Sequence, residues 1–308
     1  MTEAKLVQIP ESLDGSRVDA GIAKMLGLSR TVVAELAEAG KISSGGKALS
    51  KSDRLLLDQL VQVDLAAPKN SLQITPVEVP GFAVVFQDEH LVVIDKPAGV
   101  ASHPSVGWSG PTVPGALLAL GIQLSTSGAA ERQGIVQRLD AGTSGLMVLA
   151  KSEVAYSRLK QAFRDRAVHK TYHALVQGHL DPPSGTFDAP LARHPKSEFK
   201  FHVAEGGKAS VTHYDTLEML RSASLVEVDL ETGRTHQIRV HFSAFRHPLV
   251  GDTMYGADPS LAAKLHLDRQ WLHAVKLDFE HPDTGERVFF ESSYPADLAA
   301  VLESLRNA

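Results

Sequence analysis

Residues 134–152, GIVQRLDAGTSGLMVLAKS, place one carboxylate, Asp140, after Arg138-Leu139 and before a loop containing Gly142, Thr143, Ser144 and Gly145. The apolar run 146–150 reads as a buried strand. A carboxylate on a loop that a strand anchors can be aimed into a cleft, as a nucleophile or as a base. Taken alone the triplet is equally what a turn requires, since Asp accepts backbone N–H bonds there. Ser144 is not a hydrolase nucleophile, because the G-x-S-x-G elbow needs glycine where Leu146 stands. His169 and His173 are spaced i, i+4, which would suit a metal on a helix, but KTYHALV favours a strand start. His236 and His241 fit no metal spacing, and without cysteine or a third placed carboxylate no metal site is expected.

The stretch around Asp140 resembles the catalytic motif of the RluA family of RNA pseudouridine synthases, a pattern close to HRLDxxTSGLxxxAK. Five further segments of that family's pattern follow the expected order: DKPAGVASHP (95–104), KTYHALVQG (170–178), ETGRTHQIRVHF (231–242), HPLVGDTMYG (247–256) and WLHAVKLDFEHPDTG (271–285). The resemblance runs from about residue 82 to the C-terminus. One departure is Gln137, where His is commonest; the Arg-Leu-Asp core is intact.

The resemblance implies a reaction. The bond from the anomeric carbon to the ring nitrogen of a uridine breaks, and that carbon rejoins carbon five, with no redox change and no metal or other cofactor. Asp140 is the matched carboxylate and must be ionised, either to form a covalent adduct or to remove the ribose 2′ proton. Arg239 matches the arginine that pairs with it, and a guanidinium can hold a carboxylate through two parallel bonds. By spacing alone Arg239 would be a surface residue of a helix whose apolar face is Ile238 and Phe242. Tyr172 matches a tyrosine that stacks on the flipped base, and Arg138 a position implicated in displacing that base in some members. Their structural alternatives are a core-packing aromatic and an arginine bonding nearby carbonyls.

Composition bounds the setting. A length of 308 residues suggests two domains. The absence of cysteine points to a reducing compartment, and no secretory start or bilayer-length apolar run of ~18 residues is present. A soluble, cytoplasmic monomer with no membrane contact is expected. The net charge of −5 is unlike a crude nucleic-acid binder, but local fields decide where phosphates dock. Residues 151–170 hold six Lys or Arg against two acids, and Arg193, Lys196, Lys200 and Lys208 form a second cluster diluted by Glu198 and Glu205. Either run could be merely a solvated face.

All His, Phe, Trp and Tyr residues lie beyond residue 80. That shift divides the chain into a small domain, 1–65, a Pro-containing linker, 66–81, and a catalytic domain, 82–308. In the first, a helix over 17–25 shows Val18, Ile22 and Met25. Ser29 reads as N-cap of a second helix with Val32, Val33 and Leu36 on one face, and Gly40 stops it. Gly45-Gly46 reads as a turn between short strands. This α/β segment is similar to the RNA-binding module named for ribosomal protein S-four, which makes Arg17, Arg30, Lys41 and Lys47 the candidate phosphate contacts. With nine basic against ten acidic residues in 1–80, a structural cap is the alternative.

Beyond the linker, the alternation over 224–230 predicts an antiparallel strand with one wet face, 171–176 and 208–217 suit strands, and 153–166 and 296–306 suit helices. The fold class is α+β, with a large mixed, mostly antiparallel bent sheet and flanking helices. The expected activity is isomerisation of uridine in structured RNA, large-subunit ribosomal RNA ahead of tRNA. A non-catalytic RNA-binding or ribosome-assembly protein on the same fold, and a His-dependent metallohydrolase, are the other readings.

Overall fold

The computed structural model describes residues 3–28, 30–65, 74–105, 107–128, 130–197 and 199–307. The chain forms two compact units, one of Met1–Gln73 with Ala129–Glu131, the other of Ile74–Gly128 with Arg132–Ala308. The larger unit thus begins inside the expected linker. Val77 donates its N–H to the Gly115 carbonyl and Val79 packs on the core, so residues 74–81 belong to it.

The smaller unit is a four-stranded antiparallel sheet with two helices. Strands β1 (Glu3–Gln8), β2 (Ile42–Ser44), β3 (Lys47–Ala48) and β4 (Leu60–Leu65) are ordered β1-β4-β2-β3, and α1 (Val18–Leu26) and α2 (Arg30–Glu38) lie between β1 and β2 in sequence. β1 was not expected: the exposed Leu6 blurs its alternation, and pairing with β4 defines it. Val18 and Ile22 enter the core as the pattern predicts. In α2 the buried stripe is Val33, Leu36 and Ala37, while Val32 is exposed, because a helix face recurs at i, i+3, i+4. The proposed cap Ser29 lies outside the described residues.

The larger unit is built on one nine-stranded sheet. Its strands are β5 (Ala83–Gln87), β6 (Leu91–Lys96), β7 (Ser144–Ala150), β8 (His169–Gln177), β9 (Ser184–Asp188), β12 (Val211–Met219), β13 (Ala223–Leu230), β14 (Leu272–Glu280) and β15 (Arg287–Glu291). The order is β5-β6-β7-β14-β8-β13-β12-β9, with β15 beside β14. Every pairing is antiparallel except β7 with β14. A two-stranded hairpin, β10 (Leu191–Arg193) and β11 (Phe201–Val203), stands apart. The strand expected over 208–217 begins only at Val211, because Lys208 pairs with Leu191 of this hairpin instead.

Helices cover both faces of the sheet. On one, α3 (Val113–Ala119) and α5 (Gln237–Ala244) send Leu117, Ile238 and Phe242 against Val92, Met147, Ala174 and Val226. On the other, α4 (Glu153–Arg164) packs Ala155 and Leu159 on Leu91, Val93 and Val148. There too α7 (Ala296–Arg306) packs Leu298, Val301 and Leu302 on Leu175 and Leu225. α6 (Pro259–Lys264) is a short connector. β13 therefore has a wet face only at its end, since α7 covers Ala223 and Leu225. Truncating a fully buried anchor such as Phe242 to Ala would cost roughly 3–5 kcal/mol, a large share of a domain's stability.

Candidate active site

The segment 136–140 has no regular secondary structure, so other bonds must fix it. Ser102 Oγ both donates to the Leu139 carbonyl, 2.7 Å, and accepts the Leu139 N–H, 2.8 Å. The Thr143 N–H closes a turn on the Asp140 carbonyl, 3.0 Å. Ala141 O accepts the Gly99 N–H, 2.8 Å, and Lys96 Nζ, 3.3 Å. Arg269 donates to Gly142 O and Gln270 to Thr143 Oγ1. Lys96 is fully buried, and its ammonium also reaches the carbonyls of Pro97 and Val100, each 2.9 Å away. Burial draws its pKa down to about 7, opposed by the negative charge of Asp140.

The expected loop is shorter than its sequence suggested, because Ser144 and Gly145 already belong to β7. Gly145 has φ +113, and a Cβ there would stand 2.3 Å from the carbonyl oxygen of Ala274 on β14. Glycine is required for two backbones to approach so closely.

Arg239 is 6% exposed, not a surface residue of its helix. α5 has only eight residues, too few to hold itself, and Gln237 through Phe242 are buried all round it. Its polar side chains are satisfied by β12 and neighbouring loops. Gln237 donates to Val211 O and Thr212 Oγ1, and His241 bonds Thr212 Oγ1 and Ala189 O. Arg239 is thereby fixed, but its two parallel bonds do not go to Asp140. They go to Asp252, 2% exposed: Nε to Oδ2 at 2.7 Å and Nη2 to Oδ1 at 2.9 Å. Nη1 alone reaches Asp140 Oδ2, 3.1 Å. The ring of Tyr255 supports the guanidinium, 4.9 Å from its centroid. Burial would weaken this cation, but the bonds to Asp252 and the charge of Asp140 outweigh it and hold its pKa above the ordinary value.

Asp140, Tyr172, Arg239 and Arg138 line one cleft of about 510 Å³. Tyr172 is a buried residue of β8, and burial together with the Asp140 charge raises its pKa, so it remains a protonated phenol at neutral pH. Arg138 is exposed at the rim. Lys160, Arg164, Arg166 and Lys170 of the first basic run also line the cleft, with Arg234. Arg166 pairs with Glu231 at 2.6 Å, and Lys170, over the Phe163 ring, is drawn down to about 8 by burial. The second basic cluster does not line the cleft. In the smaller unit Arg17 and Arg30 both bond the buried Asp19, and Lys47 lies on an exposed strand. Lys41 follows α2, its N–H on Leu36 O.

Sequence reasoning missed Lys96, Asp252 and Tyr255, although each lies in one of the segments that carry the family resemblance, and it weighed His236 only as a metal ligand. A lysine closing the apolar strand 91–96 was the one local signal. Among the described residues no group of three His, Asp or Glu is arranged to hold a metal ion, and no helix is long and apolar enough to cross a membrane.

A large mixed, helix-covered sheet with an arginine-paired aspartate in a basic cleft has known counterparts. Residues 90–244 match the family described as RNA pseudouridylate synthase, and the chain belongs to the RluA family of these RNA-modifying isomerases. It is 57% identical over 298 residues to an uncharacterized RNA pseudouridine synthase of Mycobacterium bovis, covering 97% of each chain. It is 39% identical over 305 residues to ribosomal large subunit pseudouridine synthase D of Nitrosomonas europaea, covering 97% of this chain and 87% of that one. The solved human RNA pseudouridylate synthase domain containing 1 superimposes with a TM-score of 0.59 at 25% identity, over 76% of this chain and 98% of that one. The protein is an RNA pseudouridine synthase with the fold expected from its sequence.

Proposed function

We propose that this enzyme converts specific uridines of large-subunit ribosomal RNA to pseudouridine, with Asp140 as the reacting carboxylate. The target is supported by the relatives named ribosomal large subunit pseudouridine synthase D, which match 97–98% of this chain at 37–39% identity. The observation that carries the role of Asp140 is its geometry. Both of its side-chain contacts, Arg239 Nη1 and the more distant His236 Nε2, fall on Oδ2, and none among the described residues falls on Oδ1. One oxygen is held and the other is available to a flipped nucleoside.

In the reaction the N1–C1′ bond breaks, C1′ bonds to C5, the proton on C5 leaves and N1 gains one. Asp140 acts as nucleophile on the sugar or as base at the 2′ carbon. Arg239 holds one of its oxygens while Asp252 keeps Arg239 in place. Tyr172 offers its ring to the flipped base and its hydroxyl for proton movement. Arg138 at the rim takes part in displacing the base, and the cations of α4 and its following loop contact the backbone. The smaller unit, through Arg17, Arg30, Lys41 and Lys47, adds affinity as an S-four-like module, in a cytoplasmic monomer that uses no cofactor.

Mapping pseudouridine in total RNA from cells with and without the gene tests the target. Loss of a site in large-subunit RNA is expected, and a change confined to tRNA would refute it. Purified Asp140→Asn should bind RNA and fail to isomerise it; substantial turnover would remove Asp140 from the chemistry.

A further inference from the structure

His236 sits beside Asp140 in the left-handed region, φ 57 and ψ 21, a conformation that costs free energy for any residue with a side chain. It is the N-cap of α5, yet its side chain makes no capping bond. The imidazole points its two nitrogens elsewhere. Nδ1 is 2.8 Å from Tyr255 Oη, and Nε2 is 3.8 Å from Asp140 Oδ2.

Tyr255 is the partner that can set which nitrogen carries the proton. Its oxygen accepts the N–H of Phe201 at 3.0 Å, and its hydroxyl has a single proton to give. Donating that proton to Nδ1 leaves the imidazole proton on Nε2, the nitrogen that faces Asp140. The surroundings favour a neutral ring. Burial lowers the His236 pKa, Asp140 and Asp252 oppose this, and Arg239 and Arg138 reinforce it. The Phe201 ring packs against His236 edge to face at 5.9 Å and the Tyr255 ring at 5.6 Å, so two aromatic rings restrain the imidazole.

We propose that His236 is a positioning residue for the isomerisation: it presents Nε2–H to Asp140 Oδ2 and, with Arg239, holds that oxygen so that Oδ1 meets the nucleoside. This rests on the assignment of Asp140 as the reacting carboxylate. The 3.8 Å separation is longer than a hydrogen bond, and it closes when RNA fills the cleft and excludes water. The left-handed backbone aims the ring at Asp140 instead of at the N–H groups of the helix end.

The two nitrogens can be separated by substitution in the full-length enzyme. The amide nitrogen of His236→Gln reaches the place of Nε2, whereas that of His236→Asn reaches the place of Nδ1. On an RNA that the wild type modifies, single-turnover pseudouridine formation at saturating enzyme is measured beside the RNA Kd. His236→Ala should slow the rate by roughly 10- to 100-fold and leave Kd within about twofold, the signature of removing a charge-assisted hydrogen bond made during reaction. His236→Gln should return to within about threefold of wild type, while His236→Asn stays as slow as alanine. Tyr255→Phe, which removes the proton given to Nδ1, should slow the rate without changing Kd.

Backbone strain alone predicts the reverse order, because asparagine suits the left-handed region better than glutamine. Recovery by asparagine rather than glutamine, a wild-type rate in His236→Ala, or a defect confined to Kd would each overturn the proposal. Should His236→Ala lose its fold, the glutamine–asparagine comparison and Tyr255→Phe still decide. An active Asp140→Asn would instead strike the assignment on which the proposal rests.

Discussion

The two units use the same pair of residue types in opposite proportion. In the larger one, a single arginine, Arg239, lies between two aspartates, Asp140 and Asp252. In the smaller one, a single aspartate, Asp19, lies between two arginines, Arg17 and Arg30. The arginine of the first cluster is 7% exposed at its side chain; those of the second are 41% and 62% exposed. The first arrangement leaves a surplus carboxylate lining a cleft, largely buried, where charge acts more strongly than at the surface. The second leaves a surplus guanidinium at the surface, where it can meet a phosphate but is screened. Bonds from Arg17 and then Arg30 hold the Asp19 pKa down to about 2. The same two residue types thus give a buried cluster with an excess of negative charge and an exposed cluster with an excess of positive charge.

Breaking the first cluster should have the largest effect. Asp252→Asn takes from Arg239 the charged partner that holds it by two bonds and leaves it free to turn both of its outer nitrogens on Asp140, tying up Oδ1. Turnover should fall by roughly 100-fold or more, with RNA Kd little changed. Near wild-type single-turnover rates would show that Asp252 does not direct Arg239.

Acid should tell the two units apart. Burial lowers the pKa of His273, which bonds Ser144 at 2.9 Å, from 6.5 to about 4. Its folded form resists protonation, so stability is full above pH 6.5 and falls as the pH drops toward 4, by about 3 kcal/mol for a shift of this size. Asp19 is also depressed, so its contribution is full above about 3.8 and disappears only as the pH falls toward 2. Denaturant unfolding from pH 7 to 4 should therefore weaken the larger unit, and His273→Asn should flatten that dependence. An unchanged slope in His273→Asn would assign the acid sensitivity to other groups.

Removing residues 1–73 should leave turnover at saturating RNA intact and reduce affinity. The log–log salt slope should decrease by about 0.7–0.9 for each phosphate that is no longer neutralised. Unchanged affinity and slope would make the smaller unit a structural cap. The smallest effect is expected from Asp19→Asn. It frees Arg17 and Arg30, so RNA should bind slightly more tightly and the salt slope should steepen by up to about 0.7–0.9 per additional phosphate engaged. Weaker binding would mean that Asp19 orients the arginines toward RNA and does not compete with it.

What could be read from the sequence was what is local or carried by a long motif. Residues 296–306 form a helix with the bounds expected, because their period of 3.6 and the proline before them are local signals. Asp140, Tyr172 and Arg239 were placed by resemblance, and the structure brings them to one cleft. The partner of Arg239 was not legible, since Asp140 and Asp252 are equally good acceptors until α5 is docked. Lys96 was missed because only the fold shows that three carbonyls converge on its ammonium. The wet face of β13 and the stripe of α2 were misjudged where pattern alone could not say which helix covers a strand, or which of two adjacent valines is buried.

The close approach of Gly145 to Ala274 bears on when the enzyme becomes competent. Ser144 and its partner His273 are 129 residues apart, and β7 meets β14 in parallel, a pairing that no hairpin can supply. The strand behind Asp140 pairs early with β6 but gains its second neighbour, β14, only after most of the larger unit has emerged from the ribosome. Closing so long a loop is slow compared with forming the local hairpin β12–β13. A nascent chain can hold Asp140 and Arg239 and still lack the framework that aims them, so modification must wait for the last part of the sheet to arrive.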